Sequence, residues 1–294
     1  MARRGGQRRN YSAGYLSSMV RHIDCPRSNC CGQRPKMGKN QWPPSVNIKR
    51  FERSGSHPMK IADSVQDAPV NEIKLMLGEL PFDGASVLEL GCGKAEKTRQ
   101  LAETGRPKEI VALEVDDIQH RRNLQINDLP HVHFRHGGAE AIPAADRSFD
   151  IVLMFKSLHH VPMEHMDAAL SEITRVLKPG GLTWISEPVY ASDLNEIFRL
   201  FHDEKIVREA AFAAIRKAVG TGRLTLEIQH FFNTRSYFES FAQFDQRMIQ
   251  VTHSNHQLTP ELYQRVKEKF ESYLTPEGAT FLTPQRVDLL RKAG

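Results

Sequence analysis

Residues 87–98 read VLELGCGKAEKT, a short apolar strand followed by two glycines around a cysteine and then by a helix start. Gly91 and Gly93 place no Cβ atom at the turn, so a ligand can lie directly against the backbone there. The dinucleotide fingerprint GxGxxG needs glycine at position 96, where this chain has Glu96, whose carboxylate would repel a pyrophosphate. The phosphate-binding pattern GxxxxGK[ST] is absent too. The loop therefore predicts a pocket that was not built around phosphates.

Two acidic residues lie at the ends of predicted strands near this loop. Glu89 precedes Gly91, and Glu114 ends the next predicted strand, 25 residues further along the chain. A carboxylate at the end of an apolar strand is costly without a partner, so we interpret Glu89 as a ligand contact rather than a loop cap. An acid at the second strand tip is where the doubly wound fold accepts ribose hydroxyls, whereas the neighbouring Asp117 suits a helix N-cap. The two acids predict a ligand with a ribose and a cationic or neutral head.

Short apolar runs alternate with amphipathic stretches from residue 57 onwards. We predict strands at residues 86–90, 109–113, 132–135, 149–155, 182–186, 223–232 and 285–290. We predict helices at residues 94–103, 117–127, 163–177, 193–219, 234–250 and 259–273. This alternation is typical of strands and helices around a parallel sheet. The predicted fold is α/β, a Rossmann-like doubly wound, mostly parallel seven-stranded sheet with helices on both faces, plus a helical insertion at about residues 234–274.

The first 56 residues differ in composition from the rest. Residues 1–55 carry twelve Lys and Arg against two acids, whereas the whole chain has a net charge of +5, so the remainder is acidic. Sequence rich in Arg, Gly, Ser and Pro buries too little apolar area to offset the entropy of ordering. We therefore predict a basic, disordered extension over residues 1–56 and one folded domain over residues 57–294. A transit peptide and a start site placed too early both explain such an extension.

Composition also excludes several classes of protein. No run approaches the ~18 apolar residues of a membrane span, and the N-terminus lacks the apolar centre of a secretory signal. Of four cysteines only Cys92 lies in the predicted domain, which favours a reducing compartment. Adjacent Cys30 and Cys31 do not match the paired spacing of zinc sites, and His253 and His256 have no acid at metal spacing. We expect a cytoplasmic protein with no metal and no membrane span.

Four motifs in consistent order resemble those of the class I S-adenosylmethionine-dependent methyltransferases, in the branch that includes ubiquinone and menaquinone methyltransferases. The motifs are VLELGCGKAE, IVALEVD, GGAEAIPAADRSFDIVLMFKSLHHV and EITRVLKPGGLTWISEP, at residues 87–96, 110–116, 137–161 and 172–188. Together they cover about residues 70–188. The resemblance implies a methyl-transferring enzyme with S-adenosyl-L-methionine as its cofactor.

The resemblance also implies which residues bind that cofactor. By position in the motifs they are Glu89, Gly91, Cys92, Gly93, Glu114, Val115, Gly138, Ala139, Glu140 and Phe155. Cys92 is expected to pack beside the cofactor rather than to react. The chain departs from the family pattern at two positions. The family often has a third glycine where Ala95 stands, and an aspartate that contacts the adenine edge where Gly138 stands, so backbone near Ala139 and Glu140 is expected to make that contact.

Candidate catalytic residues follow the fourth and fifth predicted strands, where such folds hold their ligands. They are Lys156, His159, His160 and Tyr190. A sulfonium methyl group is already activated, so alignment of donor and acceptor matters most, and a general base is needed only if the acceptor must lose a proton. The alternatives stay open that Lys156 is solvated and that His159 packs or caps the following turn.

The acceptor is predicted to be a small, largely apolar or aromatic molecule. Aromatic residues in and beside the predicted insertion offer an apolar lid, although helical spacing of this kind also marks a core stripe. They are Phe231, Phe232, Phe238, Phe241 and Phe244. Nucleic acid is not expected as the acceptor, because the predicted domain is acidic and MFKSLHH stands where amino-methylating enzymes of that type have [DN]PP[YF]. Protein methylation and a non-catalytic cofactor-sensing or partner-binding module stay open as alternatives, and the sequence leaves the oligomeric state undetermined.

Overall fold

The structure is a computed structural model that describes residues 58–65, 68–251 and 256–294, and the main chain alone of residues 49–52. These residues all belong to one unit, Pro43–Gly294. The predictions about Cys25, Cys30, Cys31 and His253, and about most of the basic extension, lie outside the described residues.

The described residues include eight strands that pair in one sheet. They are β1 (Lys49–Glu52), β2 (Ser86–Leu90), β3 (Glu109–Glu114), β4 (Val132–His136), β5 (Phe149–Phe155), β6 (Leu177–Pro188), β7 (Leu224–Phe238) and β8 (Ala279–Lys292). Strands β4, β3, β2, β5 and β6 pair in parallel in that spatial order. β8 lies between β6 and β7 and is antiparallel to both, and β1 pairs with the outer edge of β7. The predicted mostly parallel, doubly wound sheet is confirmed.

Eight α-helices in the described part of the chain connect and cover these strands. They are α1 (Glu72–Glu79), α2 (Glu96–Ala102), α3 (Asp117–Asn123), α4 (Met166–Val176), α5 (Asp193–Phe198), α6 (Lys205–Gly220), α7 (Phe241–Phe244) and α8 (Pro260–Glu271). Two 3-10 turns, Leu158–His160 and Met163–His165, follow β5, and a π-helix, Asp245–Ile249, follows α7.

The sequence explains why the sheet is covered on both faces. All five residues of β2 are buried, as expected of a central parallel strand with helices on either side. On α4 the buried residues are Met166, Ala169, Leu170, Ile173 and Val176, which recur at helical spacing and form one apolar stripe. One large core therefore lies under α4 and α6, and a second lies on the opposite face with α1 and α2.

Three predictions about the elements need correction. Residues 49–52, placed in the disordered extension, form β1 against Ile228–Phe231 of β7. Residues 234–238, predicted as helix, continue β7, because each pairs with β8 and their side chains alternate between inward and outward positions. The predicted helix over residues 193–219 is two helices, since the chain breaks before Lys205, whose N–H is accepted by Asp203 (3.1 Å). The predicted helical insertion is therefore shorter, and begins at Phe241.

The segment between β7 and β8 carries its own small core. Phe238, Phe241, Phe244, Phe270 and Phe281 pack against one another with ring centroids 4.9–6.1 Å apart. All five rings are buried in this third cluster. Of the five phenylalanines predicted as a lid over the acceptor, Phe238, Phe241 and Phe244 are buried in this cluster, and Phe231 and Phe232 are buried in β7, which favours the alternative that they form core.

A membrane-crossing element was not predicted from the sequence. In the parts of the chain that the structure describes, none of the helices combines the length and the apolar character needed to cross a bilayer.

Candidate functional site

The glycine loop lies where three parallel strands end. The N–H groups of Gly91 and Cys92 both donate to the carbonyl oxygen of Leu113 in β3, at 3.0 and 2.9 Å. Gly91 has a φ of +71°, and a Cβ atom there would lie 2.8 Å from the Cβ atom of Ser157. Ser157 itself donates its hydroxyl to the carbonyl oxygen of Leu90 (2.8 Å). Glycine at position 91 is therefore required by the close approach of the turn after β5.

Gly93 has a different environment. Its φ is +50°, and a Cβ atom built there would meet no heavy atom within 4 Å. The space above Gly93 is therefore open, although the loop on either side of it is held in place. A planar or chain-like ligand can approach the backbone at this point.

Glu114 joins this loop to the end of β3. Its carboxylate accepts the N–H of Gly93 (2.8 Å) through one oxygen and those of Val115 (2.8 Å) and Asp116 (2.9 Å) through the other. The side chain is only 7% exposed, whereas Val115 beside it is 58% exposed. A fixed carboxylate next to an exposed apolar side chain suits the hydroxyl groups of a ribose and the face of a base. Glu114 ends β3 and Val115 follows it, and the cofactor contacts expected of both residues stay predictions.

Glu89 is buried below the loop, with 2% of the residue exposed. Its carboxyl group accepts a hydrogen bond from the hydroxyl of Thr98 in α2 (2.7 Å). Burial raises the pKa of Glu89 to about 7, against the opposing effects of Thr98 and Lys97. Glu89 is therefore poised to ionise near neutral pH, and it does so more readily when a cation is near.

Cys92 packs inside the loop. Burial raises its thiol pKa, so the sulfur stays protonated and is not a nucleophile. The side-chain amide of Asn123 donates to the Cys92 sulfur (3.4 Å) and to the carbonyl oxygen of Gly93 (2.8 Å). Asn123 and Thr98 thus hold the loop in place, and neither residue was predicted from the sequence. Ala95, which stands where the family often has a third glycine, has a left-handed φ of +58°, so its side chain costs backbone strain.

Gly138 and Glu140 lie after β4, beside the exposed Val115. A Cβ atom at Gly138 would lie 2.4 Å from both carboxylate oxygens of Glu140. The carboxylate of Glu140 therefore occupies the place that the side chain of an aspartate at position 138 would take. Ala139 between them is buried.

The end of β5 brings a charged cluster near the loop. Lys156 is exposed and has a left-handed φ of +55°, which is uncommon for a lysine. Lys97 lies over the ring of Phe155, with Nζ 4.8 Å from its centroid, and donates to the buried carboxylate of Glu72 on α1 (2.8 Å). Trp184 donates to the same carboxylate (3.3 Å). Sequence reasoning placed Phe155 and Lys156 here but missed Glu72 and Lys97, which lie 25 residues apart on different helices.

His159 is held between two carboxylates. It is 4% exposed, and its Nδ1 makes a short hydrogen bond with Glu187, which also accepts the N–H of Leu158 (3.0 Å). Its Nε2 lies 3.6 Å from Oε1 of Glu204, a residue that the sequence did not reveal. Burial alone would lower the pKa of His159, but Glu187 and Glu204 outweigh it and raise this pKa to about 9. At neutral pH His159 is therefore an imidazolium and a poor general base.

The other two catalytic candidates, His160 and Tyr190, lie in different surroundings. The ring of His160, an exposed residue, lies 4.2 Å from that of His159. Burial and a hydrogen bond with Asp203 raise the pKa of Tyr190, so its hydroxyl is a weaker acid than an ordinary tyrosine. The structure therefore brings His159 and His160 together and pairs Tyr190 with Asp203 instead.

Comparison with known proteins gives a family match for the central part of the chain. Residues 87–181 match a family described as a methyltransferase domain. The phthiotriol/phenolphthiotriol dimycocerosates methyltransferase of Mycobacterium tuberculosis is 31% identical over 124 residues, which are 42% of this chain and 45% of that protein. The fatty-acid O-methyltransferase of Mycolicibacterium smegmatis is 29% identical over 146 residues, 50% of this chain and 53% of that protein. The match thus spans about half the length of these curated relatives.

Two solved structures share the fold. The YcgJ protein of Bacillus subtilis superposes with a TM-score of 0.53 at 16% identity, over 76% of this chain and 98% of that chain. A Bacillus halodurans protein, provisionally assigned as a methyltransferase, gives 0.54 at 19% identity, over 76% and 99%. At such identities the likeness concerns the fold.

Proposed function

We propose that this chain, whose residues 87–181 form a class I S-adenosylmethionine-dependent methyltransferase domain, transfers a methyl group to an oxygen of a small lipophilic molecule. The observation that carries the proposal is the open space above Gly93 beside the fixed carboxylate of Glu114. When bound, S-adenosylmethionine supplies an electrophilic methyl group. The residues of the chain bind and orient the two molecules and exclude water between them.

The residues present fit this cofactor. Glu114 would accept hydrogen bonds from the ribose hydroxyls through a carboxylate that the Gly93 N–H already holds in place. The exposed side chain of Val115 offers an apolar surface for the adenine. Glu140 lies where the family's aspartate would be, so we propose that its carboxylate accepts the adenine amino group. Glu89 ionises below the loop and offsets the positive charge of the ligand.

We place the acceptor beyond the ends of β5 and β6. Lys156, His159 and His160 lie there, and ligands of open α/β sheets bind beyond the carboxyl ends of the strands. A lipophilic acceptor is supported by the names of the two relatives, one of which acts on fatty acids and the other on a dimycocerosate. The alternative acceptor is a quinone-like molecule, which the sequence resemblance to ubiquinone and menaquinone methyltransferases implies. The loop MFKSLHH after β5 does not favour a nucleic acid.

Cofactor binding is tested by calorimetry with S-adenosylmethionine. Glu114→Ala should raise the dissociation constant roughly tenfold or more, because a charge-assisted hydrogen bond is typically worth ~1.5–3 kcal/mol. Asp117→Ala is the matched control, since this exposed acid lies three residues away at the start of α3. Equal affinities of all three proteins would refute the site.

Turnover is tested with the full chain, S-adenosylmethionine and three acceptor types: a long-chain fatty acid, a long-chain alcohol and a hydroxylated quinone. We expect S-adenosylhomocysteine and a product 14 mass units heavier than one of the lipid acceptors, the difference between a methyl group and the proton it replaces. A product from the quinone alone would move the acceptor to that class. If cofactor binds but none of the acceptors is methylated, then the proposal of a lipophilic acceptor is wrong.

A further inference from the structure

We propose that His159, His160 and Glu204 bind a divalent transition-metal ion. One nitrogen from each histidine and one carboxylate oxygen lie within 4.8 Å of one another. The site was not expected from the sequence, because Glu204 lies far from the two histidines along the chain and has no metal-ligand spacing with them. His159 lies two residues after Ser157, which contacts the glycine loop, but binding of the metal does not depend on methyl transfer.

The orientation of His159 is the first support. Its Nδ1 bonds to Glu187, so in the neutral ring that a metal ion would bind, Nδ1 carries the proton and Nε2 presents its lone pair. Metal-binding histidines almost always donate their second ring N–H to such a carboxylate, which fixes the ring and increases its basicity. Leu158 donates to the other oxygen of Glu187 (3.0 Å), so the carboxylate is itself fixed. The arrangement matches the carboxylate–histidine–metal triad.

The distance from His159 to Glu204 is the second support. Nε2 and Oε1 are 3.6 Å apart, too far for a hydrogen bond. Ligand atoms at ~2.0–2.2 Å from a tetrahedral zinc ion lie about 3.4 Å from each other, so this pair is already near a metal-bridged geometry. His160 must move its side chain by roughly one ångström to complete the set. Its residue is exposed on a short 3-10 turn, and its ring lies 4.2 Å from that of His159.

The charges are the third support. Arg208 bonds to the second oxygen, Oε2, of Glu204 and leaves Oε1 facing the histidines. His202 Nε2 also approaches Oε1 (3.0 Å), on a residue two positions before Glu204. Two carboxylates, Glu187 and Glu204, thus face the ring of His159, and a cation bound between Nε2 and Oε1 would replace the ring proton there. Two nitrogens and one oxygen suit zinc and its neighbours better than magnesium or calcium.

The experiment titrates metal into the full chain after treatment with a chelator. Cys25, Cys30 and Cys31 are first changed to serine, so that thiolates in the N-terminal segment cannot bind the ion. Calorimetry with Zn²⁺ should give one ion per chain at micromolar or tighter affinity, and Co²⁺ should give visible d–d bands. No cofactor or acceptor is present, so the result is independent of the proposed methyl transfer.

Four variants locate the ion. His160→Ala and Glu204→Gln should each weaken binding at least tenfold, and Glu187→Gln should weaken it roughly 10–100-fold through the orientation of His159. His165→Ala, an exposed histidine on the next turn, is the matched control and should bind normally. Circular dichroism checks that each variant folds. If Glu204→Gln does not fold, the binding measured for His160→Ala decides the outcome. No binding by the parent protein, or normal binding by His160→Ala, would overturn the proposal.

Discussion

Gly91 and Gly93 both have left-handed backbone angles but differ in what surrounds them. An L-residue in this conformation costs about 1–2 kcal/mol. At Gly91 the added Cβ atom also meets that of Ser157 at 2.8 Å, so Gly91→Ala should lower the free energy of unfolding by about 2 kcal/mol or more. Gly93→Ala should cost only the backbone term in stability, yet weaken S-adenosylmethionine binding at least tenfold by filling the open space.

Chemical denaturation and calorimetry separate these two effects. Combining Gly91→Ala with Ser157→Gly should recover the part of the loss that arises from the contact, because the opposing Cβ atom is gone. If Gly93→Ala binds the cofactor normally, then the ligand does not lie against this backbone.

Glu89 gives a prediction about pH. Its pKa is raised from 4.5 to about 7 in the folded protein, so between these values the folded state holds more protons than the unfolded state. Stability should therefore fall as the pH rises through this window, and at pH 8 the buried charge costs up to about 3 kcal/mol. Glu89→Gln removes the charge and should be more stable than the wild type at pH 8 but not at pH 4.5.

Urea denaturation across this pH range measures the effect. The control is Glu96→Gln, which removes the carboxylate of an exposed glutamate at the start of α2 and so changes no buried charge. A stability difference for Glu89→Gln that is constant from pH 4.5 to 8 would contradict the raised pKa.

Variants at positions 138 and 140 test whether Glu140 replaces the aspartate that the family often has at position 138. Glu140→Ala should weaken S-adenosylmethionine binding by roughly 1.5 kcal/mol, about tenfold, because the adenine amino group loses a charged acceptor. Gly138→Asp alone should displace the flexible carboxylate of Glu140, whose oxygens lie 2.4 Å from the added Cβ atom, and supply its own carboxylate at the same place. The double variant Gly138→Asp/Glu140→Ala should recover the affinity. Calorimetry on the three variants decides, and failure of the double variant to recover would mean that the two positions are not interchangeable.

At the scale of elements, the segment between β7 and β8 is a folding unit rather than a binding surface. Phe270 of α8 is fully buried among the other phenylalanines, so Phe270→Ala should lower the free energy of unfolding by ~3–5 kcal/mol. Cofactor affinity of the folded fraction should not change. Lys267→Ala, on the exposed face of the same helix, should alter stability by less than ~0.5 kcal/mol. If Phe270→Ala loses turnover but keeps its full stability, then the aromatic cluster belongs to the acceptor site instead.

At the scale of the whole molecule, β1 is an edge strand of the sheet that the composition of residues 1–56 did not predict. β1 pairs with residues 228–231 of β7, so a shortened chain that begins at Pro58 leaves that edge unpaired. Such edges are templates for association with other chains. We expect this chain to melt a few degrees lower and to form soluble oligomers on light scattering, whereas a chain that begins at Val46 should match the full protein. Identical behaviour of the two shortened chains would mean that β1 does not protect the edge.

The parts of the fold that were predictable from sequence carry local signals. The apolar run of β2, the glycines after it and Glu114 at the next strand tip are neighbours in sequence or repeat a known spacing, and they lie as predicted. Glu204 and Glu72 reach the site from helices distant along the chain, and no local pattern marks them. In residues 234–244 the aromatic spacing fits a helix and a strand alike, so only pairing with β8 decided. The strain at Ala95 depends on a dihedral angle, which composition does not reveal.

β8 follows β6 and β7 along the chain but lies between them in the sheet. Because β8 lies between β6 and β7, these two strands do not pair with each other, and both need β8 as a partner. Leu224 of β7 pairs with Lys292 of β8, so the whole segment between these two residues must close into a loop first. Pairings of this kind are slow, because the entropy of closure precedes the gain from contact. Refolding should therefore be limited by docking of β8, with the half-formed sheet as the species prone to aggregation. The need for chaperones during folding should therefore depend on β8, the strand farthest in sequence from the glycine loop.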